Sequence, residues 1–217
     1  QESLDNLARR YQAVYRAYEY VCFAYSYGIA VPTALLERLD AQGSIHELPN
    51  REGAKGLVFY DEAHHDCLRP GHPRRAELAS TLFQSNRPAT YVLEELVKAA
   101  DASVPLQRRF VAHLLRSLTV RSVEVVGEVL PRIQEQVATC VRQSSRISEI
   151  TIWRAFYLGL DRSEEAEQLV DAALALEPVS SHDVNLALSL YRERGRERDA
   201  LPVLERWIQS HTEWGGG

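Results

Sequence analysis

Apolar residues recur every three or four positions along most of this chain, and the period breaks in one place. Leu4, Leu7, Tyr11, Val14, Tyr18, Val21 and Tyr25 fall on one face of a long helix. Gly28 ends it as a left-handed cap, and Pro32 suits the first turn of a second helix over 32–41, with Leu35, Leu36 and Leu39 inward. The stretch 43–55 carries Ile45 and Leu48 and has room for one or two helical turns. Gly56-Leu57-Val58-Phe59-Tyr60 then reads as a β-rich run, followed by polar residues 61–65 and a second extended segment over 66–69. Pro70-Gly71 breaks the chain. His72 and Pro73 open the next helix, with proline at the first helical position, where its missing N–H is harmless, and with Ala76, Leu78, Ala79, Leu82 and Phe83 as the apolar residues.

Helix, helix, short helix, hairpin and helix is the order of a winged helix, which assigns 1–86 to a winged-helix-like module. From residue 87 no strand-like run recurs, and helices are expected near 88–101, 104–118, 120–141, 147–160, 163–176, 181–194 and 198–211. Short loops between helices of this length make a helical-hairpin array over 87–217. An offset of 34 residues aligns Tyr157 with Tyr191, Ala166 with Ala200, Val170 with Leu204 and Ala173 with Trp207, giving repeats at 147–180 and 181–214. Tetratricopeptide repeats have a similar period and use small residues to let paired helices approach. The expected fold class is therefore mainly α, a winged-helix-like module with one small β-hairpin followed by an α-helical hairpin array.

Composition narrows the possible functions. The net charge of −5 argues against a protein whose main task is to hold nucleic acid or an anionic membrane. Cys22, Cys67 and Cys140 are scattered and odd in number, so free thiols and a reducing, cytoplasmic setting are expected. No apolar run reaches the ~18–20 residues that a membrane span needs. Methionine is absent, the chain starts at Gln1 and it ends in Trp214-Gly215-Gly216-Gly217, so a processed or excised piece of a larger protein is expected.

Candidate chemistry is sparse. Leu57 to His64 reads like the strand and DEAH box of a superfamily-2 helicase, where the aspartate holds Mg²⁺ and the glutamate polarises water. That chemistry needs a phosphate loop, and the chain contains no Gly-x-x-x-x-Gly-Lys-Ser/Thr, so Asp61-Glu62-Ala63-His64 reads better as the polar tip of a hairpin. His46, His64, His65, Cys67 and His72 lie close in sequence but lack any metal-ligand spacing, and loop histidines are the better reading. Six of the ten tyrosines lie between Tyr11 and Tyr27, at helical steps that suit core aromatics better than base stacking. Residues 31–55 carry three basic against four acidic groups, and the hairpin adds Asp61, Glu62 and Asp66 against Arg69. Phosphates would be repelled by such a recognition helix and wing.

At Arg69-Pro70-Gly71-His72-Pro73 the chain resembles the winged-helix domain of the STAND signalling ATPases, the class that includes bacterial relatives of apoptosome and NOD-like proteins. Tyr25 to Pro32, followed by Leu35-Leu36, is similar to the first helices of such modules, as is Gly56-Leu57-Val58 leading to Leu68-Arg69. The resemblance implies an upstream P-loop ATPase domain, a winged helix whose histidine reaches the β-phosphate of ADP, and repeats that bind a ligand or a protein or peptide partner. His72 matches that histidine and Arg69 is its possible support, so both are candidate ADP contacts in an intact parent. The local alternatives are that His72 caps or underpins its helix and that Arg69 flanks its strand. Neither catalysis nor a cofactor is expected of the 217 residues themselves. The expectation is a non-catalytic regulatory segment, with a stand-alone helical-repeat scaffold second and a DEAH-box helicase fragment third.

Overall fold

The computed structural model describes residues 12–39, 45–50 and 55–212 of the chain. It is mainly helical with one small antiparallel sheet, and it divides into two compact units, 1–140 and 141–217. The expected winged-helix segment 1–86 lies in the first unit together with three further helices.

In the first unit, α1 (Gln12–Ser26) is followed by β1 (Val31–Pro32), α2 (Thr33–Leu39), a 3-10 helix (Ile45–Asn50), β2 (Val58–Tyr60), β3 (Cys67–Pro70) and α3 (Pro73–Gln84). The strand order is β1-β3-β2, antiparallel throughout, with Val31 opposite Leu68 and Phe59 opposite Arg69. This is the winged-helix connectivity with its first strand included. That strand corrects the sequence reading, which placed Pro32 inside a helix. A residue before proline is driven to extended backbone, and an edge strand tolerates a proline that cannot donate. The helix starts one residue later, at Thr33, whose N–H and hydroxyl both donate to the Asp66 carbonyl at 2.8 and 3.0 Å.

Gly28 does cap α1, at φ +82°, with its own N–H bonded to Tyr25 O and the Ile29 N–H to Ala24 O. These are the paired bonds of a Schellman ending, which glycine enters without steric penalty. Leu4, Leu7 and Tyr11 lie outside the described residues, but Val14, Tyr18 and Val21 are buried as their spacing requires. The burial of α1 is wider than one stripe, since Tyr20, Cys22, Phe23 and Ala24 are also enclosed. Tyr15 and Tyr18 meet Phe83 of α3 edge to face at 5.0 and 6.0 Å, so part of the tyrosine cluster is core. Of the apolar residues on α3, Ala76, Ala79 and Phe83 are buried, whereas Leu78 and Leu82 are exposed.

Three helices complete the first unit's described chain: α4 (Ala89–Ala99), α5 (Pro105–Arg121) and α6 (Val123–Arg142), whose last turn contains the division at 140/141. Arg87, in the link between α3 and α4, ties α1 to α4. Its guanidinium donates to Glu19 of α1 at 2.7 Å and to the Tyr20 hydroxyl at 3.3 Å, and it pairs with Glu95 of α4. Tyr20 itself donates to Glu95 at 2.7 Å, and Arg87 also lies over the rings of Tyr20 and Tyr91.

The second unit contains α7 (Ile147–Leu158), α8 (Ser163–Leu174), α9 (Ser181–Glu193), a 3-10 helix (Glu197–Ala200) and α10 (Leu201–Thr212). The repeat is visible in its turns. After α7, Asp161 takes φ +57°; 34 residues on, after α9, Gly195 takes φ +63°. Each turn makes the same two bonds: Asp161 N–H to Leu158 O with Arg162 N–H to Tyr157 O, and Gly195 N–H to Arg192 O with Arg196 N–H to Tyr191 O. The two hairpins therefore turn by one device, although only the second spends a glycine on it. Asp183, buried in the first turn of α9, joins them. Its carboxylate accepts the Ser148 N–H at the start of α7 at 3.1 Å and the Ser180 hydroxyl at 2.9 Å, satisfying a helix-end donor.

Ala166 and Ala200 are both buried, at 0% and 4% exposure. Replacing either by leucine is expected to overpack its helix pair and lower stability by ~1–3 kcal/mol in urea titrations. Midpoints unchanged in both variants would mean that these alanines do not set the helix spacing.

Candidate functional site

His72 occupies the N-cap of α3, with extended backbone at φ −154° and ψ 134°. Its Nδ1 accepts the Arg74 N–H at 3.1 Å, while its carbonyl takes the N–H groups of Arg75 and Ala76. One lone pair is thus committed to capping, which leaves Nε2 of an exposed side chain as the ring's outward donor. The preceding Gly71 has a structural reason: a Cβ there would stand 2.7 Å from the Phe59 ring. The break that presents His72 therefore needs glycine for a close approach rather than for a special φ.

Arg69 points its charge along the wing. Nη2 lies 2.6 Å from Glu62 Oε1 and Nε lies 3.6 Å from Asp61 Oδ1, so it is engaged by the hairpin's own acids. Asp61 also accepts the N–H groups of Ala63 and His64, at 3.2 and 3.1 Å, forming the turn that reverses the chain. Asp61-Glu62-Ala63-His64 is thus a hairpin tip in an antiparallel sheet, with its aspartate spent on turn geometry. His72 and Arg69 are each held locally, and the described contacts do not bring them together.

Of the loop histidines, the His46 side chain lies outside the described residues, and the others do not converge. His64, His65 and His72 are exposed, Cys67 is buried, and no group of three metal-ligating side chains gathers among the described residues. The buried thiols are poor nucleophiles. Burial pushes Cys22 up to about 12, Cys67 to about 11 with Asp61 and Asp66 adding, and Cys140 to about 11.

A cavity of about 330 Å³ opens beside the hairpin. One wall is α5, where Leu106, Arg109, Phe110 and His113 follow helical spacing. The end of α1 and its cap contribute Tyr25 and Gly28 to Ala30, and the hairpin contributes Asp61, His64 and Cys67. His113 is exposed at the surface, yet its ring titrates below the usual histidine range, because the protein around it displaces water that would stabilise the charged form and because Arg116 and Arg109 repel that charge. Sequence reasoning singles out neither Arg109 nor His113. The four-residue step between them, flanked by Leu106 and Phe110, is the signal available, but it is also an ordinary amphipathic pattern.

Searches against protein-family models, curated proteins and solved structures found no match to this chain.

Proposed function

We propose that the chain is a non-catalytic regulatory segment of a cytoplasmic STAND-type signalling ATPase. In this reading the winged helix latches the nucleotide state of an upstream ATPase domain, and the helical hairpins of 141–217 bind a protein or peptide partner. The observation that carries it is the arrangement after the wing. Arg69 is paired with Asp61 and Glu62, so the wing offers phosphates no unpaired cation among its described residues, while His72 stands exposed at a helix N-terminus. Such an end suits one phosphate group presented by a neighbouring domain better than a nucleic-acid backbone. No helix among the described residues is long and apolar enough to cross a membrane.

The first test is the sequence ahead of Gln1, where a Gly-x-x-x-x-Gly-Lys-Thr is expected. The chain by itself is expected to give no heat with ADP or ATP, since one histidine and a helix end cannot hold a polyphosphate. Micromolar binding to residues 1–217 alone would contradict this. In the parent, His72→Ala should remove a hydrogen bond to a charged group, worth ~1.5–3 kcal/mol, and speed ADP release by roughly ten- to a hundredfold. Loss of the cap alone would lower stability by ~0.5–2 kcal/mol and leave the off-rate unchanged. Measuring both on one variant separates the latch from the cap.

The 34-residue recurrence of turn geometry favours a second reading, a stand-alone helical-repeat scaffold. An upstream sequence without a phosphate loop would select it. The DEAH-box reading draws no support from a hairpin tip whose aspartate accepts turn N–H groups.

A further inference from the structure

We propose that the outward face of α3 docks an acidic amphipathic helix of a partner protein, with the partner's apolar stripe on Leu78 and Leu82 and its carboxylates on Arg74 and Arg75. This does not rest on the regulatory reading above, whose test is the ADP off-rate. The inner face of α3 buries Ala76, Ala79 and Phe83, and Phe83 meets Tyr15 and Tyr18 of α1. The outer face carries a second apolar pair in the open: Leu78 is 69% exposed and Leu82 39%. Arg74, Leu78 and Leu82 follow one another at four-residue steps and form one ridge, and Arg75 flanks it three residues before Leu78. Both arginine side chains are exposed as well. At the N-terminal end of the ridge the Phe59 ring, 43% exposed, lies beside Gly71 and adds an aromatic edge.

Charge selects the occupant. The first turn of α3 holds Arg74 and Arg75 and no acid. A helix N-terminus favours carboxylates and disfavours cations, so these two arginines work against the local dipole. Neither forms an ion pair among the described residues, and Glu77, the acid of α3, lies off the ridge and pairs with neither. The neighbouring arginines differ: Arg69 is held by Asp61 and Glu62, and Arg87 by Glu19 and Glu95. A partner's carboxylates would answer the two side-chain charges and the dipole together. The ridge suits a helix, since a row of side chains at four-residue steps seats in the groove of a second helix whose own anchors recur every three or four residues. A membrane fits less well, because two basic residues fall short of the ~4–8 that mark an anionic-lipid surface. A second copy would bring Arg74 and Arg75 up to a ridge that has no acid to offer.

The test uses residues 1–217 and an alanine-based peptide of roughly 18 residues, long enough to be helical by itself, with a leucine stripe at helical spacing and a pair of glutamates at each end of it. Comparison peptides carry glutamine or lysine in place of the glutamates. Amide NMR is expected to map the glutamate peptide to α3 with a Kd at or below ~1 mM, about tenfold tighter than the glutamine peptide. Leu78→Gln together with Leu82→Gln should weaken binding by about tenfold and leave the melting temperature unchanged, because both side chains are exposed. Arg74→Glu together with Arg75→Glu should reject the glutamate peptide and accept the lysine peptide, a swap that an unfolded variant could not give. That variant should also melt no lower than the original chain, since acids suit a first turn. No binding of the glutamate peptide, equal binding of the glutamine peptide, or a map that avoids α3 would overturn the proposal. So would tighter attachment to phosphatidylserine vesicles, which would assign the face to a membrane. A dimer of the free chain broken by Leu78→Gln would overturn it too, by assigning the face to a second copy.

Discussion

Arg87→Ala is expected to destabilise the protein by ~3–5 kcal/mol, a large part of the ~5–15 kcal/mol that holds a typical domain folded. The reason is what it leaves behind. The Glu19 side chain is only 5% exposed and receives its charged hydrogen bond from Arg87 at 2.7 Å. Removing the guanidinium strands that carboxylate away from water and also unpairs Glu95 from its cation. Loss of the guanidinium from the Tyr20 and Tyr91 faces adds to the effect. Arg87→Lys should recover only part, since a compact ammonium lacks the planar fork that spans Glu19, Glu95 and the Tyr20 hydroxyl and cannot stack on the Tyr20 and Tyr91 rings. Adding Glu19→Gln to Arg87→Ala should make the double variant less damaged than the sum of the singles, because the stranded charge is gone. Denaturant titration of these variants is the measurement. A loss below ~1 kcal/mol for Arg87→Ala would show that the network behaves like a solvent-exposed pair.

Trp153→Ala is expected to have a comparable effect, ~3–5 kcal/mol, for a different reason. Trp153 is fully buried in α7, stands edge to face with Phe156 at 5.8 Å and donates its indole N–H to the Ser144 hydroxyl at 3.1 Å. Truncation opens a cavity in the first repeat hairpin, whose neighbours are fixed by the tight turn at Asp161. Trp153→Phe should separate the terms. It keeps most of the apolar volume while losing the hydrogen bond, so it should destabilise less than alanine does. Calorimetric melting together with hydrogen exchange in α7 and α8 would report it. Equal losses for phenylalanine and alanine would make the indole N–H the dominant contribution.

Much of the helical architecture is legible in the sequence because local signals agree with one another. The boundaries of α7, α8 and α9 follow three-and-four spacing between turn residues, and the 34-residue offset shows again in the turn backbone at Asp161 and Gly195. Pro73 at the first helical position and His72 before it likewise mark the start of α3, because helix-end chemistry is confined to a few neighbouring residues. The candidate site is much less legible. His113 and Arg109 acquire meaning only because the hairpin loop and the cap of α1 close over the same stretch of α5.

The sequence by itself determined the class of the fold, the place of the hairpin and the approximate positions of most helices. These come from periodicity, proline and glycine geometry and side-chain size, all carried within a few residues. Tertiary structure alone decided that Val31–Pro32 becomes a strand, since a two-residue segment is a strand only when Leu68 and Cys67 offer it an edge. It also decided that Leu78 and Leu82 face outward while Glu19 is enclosed. Burial depends on which neighbours arrive from distant parts of the chain, and so does the charge balance around Arg87 and His113. The winged-helix order is therefore written locally, whereas its ion network and its cavity exist only where remote segments meet.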